Sequence, residues 1–219
     1  DLANVQIRVF ARFVDIIEQG PFARIAVDMP IGLPERAGPG GRGAERAVRP
    51  FLGARRSSVF SVPARRAVYA VDYETACAEA LDHSDPPRKI SKQSFAIFPK
   101  IRELDGLLRD NPDLVDIVHE VHPELAFWRM NGDKPLGTPK KMNGKPYSVG
   151  LDERRKLLMS AGISEACVSA KCPRGAAIDD MLDALAGLVI AKRLVDGIAR
   201  PFPDPPMRDA YGLPIAIWA

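Results

Sequence analysis

Three aspartates at the start of a predicted helix near the C-terminus could hold a cation. Apolar residues recur at helical spacing from position 178 onwards and predict a helix over 178–196. Asp183 lies three residues after Asp180 and four after Asp179, so these carboxylates project from neighbouring points on the helix surface. Like charges this close repel each other unless water or a cation lies between them. Alternatively, Asp179 and Asp180 only favour the helix N-terminus, which explains Asp183 less well.

Two further carboxylates lie near the ends of predicted strands. Residues 25–28 are a short apolar run ending in Asp28, which is typical of a buried parallel strand. Residues 115–122 predict another strand, with Glu120 near its end and His122 on the same face. Ligands bind at the carboxyl edge of α/β sheets, so both acids are candidate metal ligands. Alternatively, Asp28 caps the following turn, Glu120 pairs with a basic residue, and His122 is a structural donor rather than an acid or ligand.

Hydrophobic periodicity and turn residues predict the elements that would position these acids. We expect a strand at 5–10, a short apolar strand between the arginine pairs of 55–66, and helices at 13–18, 44–52, 71–81, 101–109, 124–130 and 152–161. Residues 90–98 start a helix or an extended segment, and a proline-rich tail follows Gly197.

The composition permits one sizeable hydrophobic core, since 46% of the 219 residues are hydrophobic. The formal net charge of +3 is too small to indicate a nucleic-acid partner by itself. Residues 35–66, however, contain eight arginines and two glutamates, a local excess that either attracts polyanions or forms a solvated loop.

The three cysteines contain no CxxC pair, which argues against a disulfide framework or a zinc site. We expect reduced thiols and a cytoplasmic protein. No run of about 18 apolar residues is present, so we expect no membrane span.

Several stretches, in chain order, resemble a little-characterised prokaryotic family of predicted nucleases with the RNase H-like fold, known as domain of unknown function 429. They are AVDMPIGLP at 26–34, LGARRSSVF at 52–60, ISKQ at 90–93, PKIRELD at 99–105, EVHPE at 120–124 and DMLDA at 180–184. The last stretch also resembles the closing motif of RuvC-type Holliday-junction resolvases.

The resemblance implies an α/β protein with an RNase H-like mixed sheet flanked by helices. It implies a single domain over 1–219, in which 35–112 form a basic and helical insertion between core strands. The implied activity is metal-dependent hydrolysis of phosphodiester bonds in nucleic acid, by two Mg²⁺ or Mn²⁺ ions held by carboxylates. Asp28, Glu120 and Asp183 would hold the metal, and together with Asp180 they would form the catalytic set.

Basic residues would bind the phosphate backbone of DNA or RNA, although each could instead be a solvated surface charge. The candidates are Arg55, Arg56, Ser57, Lys92, Lys100, Lys140 and Lys141.

Nucleases of this fold carry an aspartate on the first strand, but here one predicted strand precedes the first helix. We therefore expect either N-terminal strands upstream of Asp1 or a chain that lacks a metal ligand and is inactive. The second case favours a non-catalytic nucleic-acid-binding module on the same fold. A small-molecule phosphotransferase of the related actin-like group would need a glycine-rich phosphate hairpin near the N-terminus, which the sequence does not show.

Overall fold

Two parallel strands lie at the centre of the computed structural model, which describes residue 2 and residues 4–219. The strands are Ile25–Val27 and Val118–Glu120, with Ile25 opposite Val118 and Val27 opposite Glu120. Because the strands are parallel, both end at the same edge, and the chain after each strand emerges there.

A C-terminal hairpin forms a separate two-stranded sheet beside this strand pair. Strand Pro201–Arg208 pairs antiparallel with Pro214–Trp218, and Trp218 forms a parallel bridge with Val121 directly after the second central strand. The prolines of the first hairpin strand remove backbone donors, which is tolerated at the edge of a sheet. A separate small hairpin pairs Lys141–Met142 with Lys145–Pro146.

Helices cover much of the rest of the described chain. Their bounds are Phe13–Ile17, Gly43–Val48, Arg65–Tyr69, Tyr73–Asp82, Lys92–Asp110, Pro112–Val115, Pro123–Met130, Ser148–Ser160, Glu165–Val168 and Ile178–Val195, with a 3₁₀ segment at Arg49–Ser58. None of the helices in the described residues has both the length and the apolar character required to cross a bilayer.

The C-terminal helix Ile178–Val195 crosses the central strands. Its predicted apolar face is buried, with Leu182 inaccessible to solvent. Gly187 allows a close approach to the sheet, because a Cβ atom built there would lie 3.8 Å from the backbone oxygen of Ala26. The helix also packs on Pro123–Met130 and Ser148–Ser160. This packing places the first turns of the helix beside the residues that follow the strands.

The predicted strands at 5–10 and within 55–66 are wrong. Residues 5–10 have no regular secondary structure, although Val5 and Ile7 pack against the main core. The alternation of apolar and polar residues therefore reflects one buried face of the segment. No described strand forms backbone hydrogen bonds with it. Residues 59–64 are likewise irregular, and the residues before them, up to Ser58, form a 3₁₀ segment rather than a strand.

Two further segments are more regular than expected. We expected separate segments within residues 90–109. The chain from Lys92 onwards instead forms one helix, Lys92–Asp110, that continues through Pro99. The proline-rich tail contains the hairpin described above. Glu120, predicted to lie near a strand end, is the last residue of its strand.

Candidate functional site

Asp28 follows strand Ile25–Val27 directly, at the edge where ligands bind in α/β sheets. Its carboxyl group has no hydrogen bond or ion pair with any described residue, so the predicted turn-capping role is not what holds it. Asp28 is exposed to solvent, yet the surrounding protein displaces enough water to raise the pKa of its carboxyl group. The neighbouring His122 and Lys140 oppose this increase.

Asp28 lies between two adjoining cavities. One has a volume of about 350 Å³ and is lined by Asp28, Asp180 and Asp183; we call it the acidic recess. The other has a volume of about 230 Å³, is lined largely by apolar side chains, and is called the apolar recess. The fold thus brings aspartates from a strand end and a distant helix to one concave surface.

Asp183 is a second acid of the acidic recess whose pKa is raised. Its side chain is 14% exposed, and this burial raises the pKa of its carboxyl group to about 6. The charges of Asp28 and Glu124 raise the pKa further, whereas Lys140 lowers it. Lys140 Nζ donates to Asp183 Oδ2, while the buried Oδ1 has no partner among the described residues.

Two lysines of the small hairpin region neutralise part of this acidic surface. Lys140 contacts Asp183 and lies 4.0 Å from Asp179, while Lys141 Nζ lies 2.7 Å from Asp179 Oδ2. The hydrogen bond to Asp179 raises the pKa of Lys141. Both lysines were predicted to bind phosphate, and the structure places them beside the acids of the predicted site.

Glu124 is a site residue that we did not predict from the sequence. It lies in the first turn of helix Pro123–Met130, where acids are common, so its position alone carries little functional signal. Glu124 Oε1 accepts a hydrogen bond of 2.7 Å from the fully buried Arg154. The buried Oε2 has no partner in the described part of the chain. Its charge raises the pKa of Asp183, so a carboxylate outside the lining of the acidic recess acts on an acid inside it.

Glu120 is held in a buried ion pair, which is the alternative role that the sequence left open. Arg42 Nη2 lies 2.6 Å from Glu120 Oε1, and Arg42 Nη1 lies 3.0 Å from Oε2. The backbone N–H of Ile31 also donates to Oε2, and Glu45 shares the same arginine. Burial raises the pKa of Glu120 to about 7, against the effect of Arg42. Both oxygens of Glu120 are therefore engaged.

Asp180 lines the acidic recess and also caps its helix. Its Oδ2 accepts a hydrogen bond of 2.9 Å from the backbone N–H of Ala177. This contact is the helix-terminus role weighed above for the first-turn aspartates. Asp180 is exposed, so the hydrogen bond leaves its other oxygen accessible to solvent.

The remaining phosphate-binding candidates lie in two other segments. Arg55, Arg56 and Ser57 belong to the 3₁₀ segment Arg49–Ser58, which leads directly into the wall of the apolar recess. Lys92 and Lys100 are exposed on helix Lys92–Asp110, and Lys100 lines a third cavity beside the neighbours of Asp28.

Much of the arginine-rich segment at 35–66 is structural. Arg42 and Arg65 are buried in ion pairs, and Arg65 Nη1 lies 2.5 Å from Asp105 Oδ2. Arg46 and Arg49 donate to backbone carbonyls of the preceding glycine-rich loop. Only part of the local charge excess is therefore available to a polyanion.

A Mg²⁺ or Mn²⁺ ion in the acidic recess would need ligands beyond its acids. Among the described residues, no three His, Cys, Asp or Glu side chains stand close enough to hold a metal ion by themselves. Mg²⁺, however, is commonly held by one or two carboxylates together with water and substrate phosphates. Asp28, which has no protein partner, and the free oxygen of Asp183 provide such a pair.

The fold and the site define a mixed α/β protein with acidic side chains gathered at the carboxyl edge of a parallel strand pair. The chain belongs to the family described as "Protein of unknown function (DUF429)", whose model matches residues 2–208. No curated protein and no solved structure matches the chain.

Proposed function

We propose that this protein is a metal-dependent nuclease with an RNase H-like arrangement of its site. One observation carries the proposal: Asp28 and Asp183, 155 positions apart in the chain numbering, line one recess and retain oxygens without protein partners. A strand-end aspartate facing an aspartate on a helix that crosses the sheet is the arrangement that the sequence resemblance implies.

Asp28 and Asp183 would hold Mg²⁺ or Mn²⁺, and Glu124 would add negative charge at the rim of the acidic recess. Such an ion would activate water and stabilise the charge that develops on a phosphodiester. We leave Glu120 out of the ligand set, because Arg42 and Ile31 engage both of its oxygens. Glu120 instead fixes the chain after the second strand relative to the segment that follows Asp28.

Lys140 would exchange partners when a cation and a phosphate enter. In the structure its ammonium group neutralises Asp183. A divalent cation at Asp183 would repel this ammonium group, which is 28% exposed and could then donate to a substrate phosphate. Lys141 lies on the same hairpin and would contribute a second phosphate contact.

The test is cleavage of single-stranded and duplex DNA and RNA by the purified full chain, with Mg²⁺ or Mn²⁺ and with EDTA. We expect metal-dependent cleavage that falls at least about a hundredfold in Asp28→Asn and in Asp183→Asn. Asp152→Asn is the matched control, because this exposed aspartate pairs with Arg155 outside the recess. Absence of cleavage with every substrate, or full activity in both variants, would contradict the proposal.

A second candidate is a non-catalytic nucleic-acid-binding module on the same fold. It is favoured by the contacts of Lys140 and Lys141, which already neutralise Asp183 and Asp179 without a metal ion. This candidate predicts salt-dependent binding without cleavage.

A further inference from the structure

The apolar recess on the other side of Asp28 has a shape and lining that the nuclease proposal does not use. Its volume is about 230 Å³, whereas an apolar protein cavity of about 150 Å³ suffices to bind benzene. The apolar walls are Met29, Phe60, Val62, Ile97, Val121 and Ile217. Arg42, Glu45 and Glu120 also line the recess, and their charges are paired with one another. The recess therefore has room for one flat aromatic ring that carries a few polar substituents.

The recess also offers polar groups to the edge of such a ring. His122 lines it, and the buried Nδ1 of His122 has no partner among the described residues. The other ring nitrogen lies 3.4 Å from the backbone oxygen of Ser58. An aromatic wall at Phe60 and an unpaired imidazole nitrogen together match a heterocycle better than an aliphatic chain.

The surroundings of the recess match the rest of a nucleotide. Asp28 forms a wall of both recesses, so a ring in the apolar recess would be adjacent to a phosphate at the acidic recess. Arg55 and Arg56 lie three and two residues before Ser58, which lines the apolar recess. Cations followed by an aromatic wall are the combination that proteins use to bind single strands.

We propose that the apolar recess binds one unpaired nucleobase, so that the site acts on single-stranded or locally unpaired nucleic acid. This proposal rests on the proposed function for the neighbouring phosphate position. A base within a duplex is paired and stacked, and would have to leave the helix before entering the recess.

The test is equilibrium binding to the full chain in EDTA, measured by calorimetry, which does not depend on cleavage. The probes are uridine 5′-monophosphate, adenosine 5′-monophosphate and ribose 5-phosphate, which lacks a base. We expect at least one nucleotide to bind at least about tenfold more tightly than ribose 5-phosphate. Phe60→Ala should remove most of this difference, and Ile97→Trp should remove it by filling the recess. Phe22→Ala, at an exposed phenyl ring outside the recess, is the control.

Circular dichroism of each variant identifies any that fails to fold, and the remaining substitution still decides the question. Equal binding of both nucleotides and ribose 5-phosphate would overturn the proposal, as would unchanged preference in the folded Phe60→Ala or Ile97→Trp protein. Metal-dependent cleavage without base-dependent binding would overturn the base site alone and leave the nuclease proposal intact. Base-dependent binding without cleavage would support the base site on a non-catalytic module.

Discussion

Replacing Asp183 by asparagine should stabilise the protein at neutral pH and leave its stability nearly unchanged at acid pH. Burial raises the pKa of Asp183 from 3.8 to about 6, so the folded protein takes up this proton more readily than the unfolded chain. The protonated carboxyl group contributes its full stability below about pH 4, and this contribution is lost as the pH rises through 6. Asparagine does not ionise, so the variant avoids the loss.

The size of the effect follows from the difference between the two pKa values. A difference of about two units corresponds to at most about 3 kcal/mol in the free energy of unfolding. The weaker contact of asparagine with Lys140 reduces the gain, so we expect about 1 to 3 kcal/mol at pH 8. Active-site residues often lower the stability of a protein, so a substitution that stabilises it is expected at a residue that serves function.

Urea unfolding of the wild type and Asp183→Asn at pH 8 and pH 4 measures the difference. Asp15→Asn is a control of opposite sign, because the hydrogen bond from Arg12 lowers the pKa of Asp15. That variant should lose stability at pH 8, and the loss should shrink as the pH falls below the normal range of aspartate. The reasoning is refuted if Asp183→Asn is less stable than the wild type at pH 8, or if its effect is equal at both pH values.

Four further substitutions test the packing and the ion pairs of the fold. Arg42→Met should lower the free energy of unfolding by about 3 to 5 kcal/mol in urea, because it leaves two buried carboxylates without their partner. Arg12→Met, at an exposed ion pair, should lower it far less. Equal losses would contradict the structural role of Arg42. Gly150→Ala should lower the melting temperature, because the added Cβ would clash with the backbone oxygen of Pro139 and displace the segment before Lys140. Gly106→Ala, in an open helical position, should instead stabilise by about 0.5 to 1 kcal/mol, and a loss there would argue against the helix.

The sequence predicts the parts of the fold that carry strong local patterns. The apolar run ending at Asp28 and the periodic face of Ile178–Val195 both form the expected elements. The predicted strand at 5–10 is wrong. Alternation of apolar and polar residues indicates that one face is buried, but it does not indicate whether another strand pairs with the segment. The C-terminal hairpin is missed because its prolines normally argue against a strand, and the edge position that tolerates them is set by tertiary structure.

The candidate site is predictable in part for the same reason. Strand ends and helix starts are visible in the sequence, so Asp28 and Asp183 could be proposed as neighbours before the structure was described. The partner of Glu120 could not be predicted, because Arg42 lies 78 residues away in the chain and only folding brings the two side chains together. Likewise, nothing in the local pattern around Glu124 indicates that its charge acts on Asp183.

The central claim is that Asp28 and Asp183 share a divalent cation. Anomalous diffraction from crystals of the full chain soaked in Mn²⁺ tests it most directly, because the scattering identifies the ion and its position. The account predicts an Mn²⁺ peak within about 2.5 Å of a carboxylate oxygen of both Asp28 and Asp183. A peak elsewhere, or none in the acidic recess, in crystals soaked at an Mn²⁺ concentration that supports cleavage would contradict it.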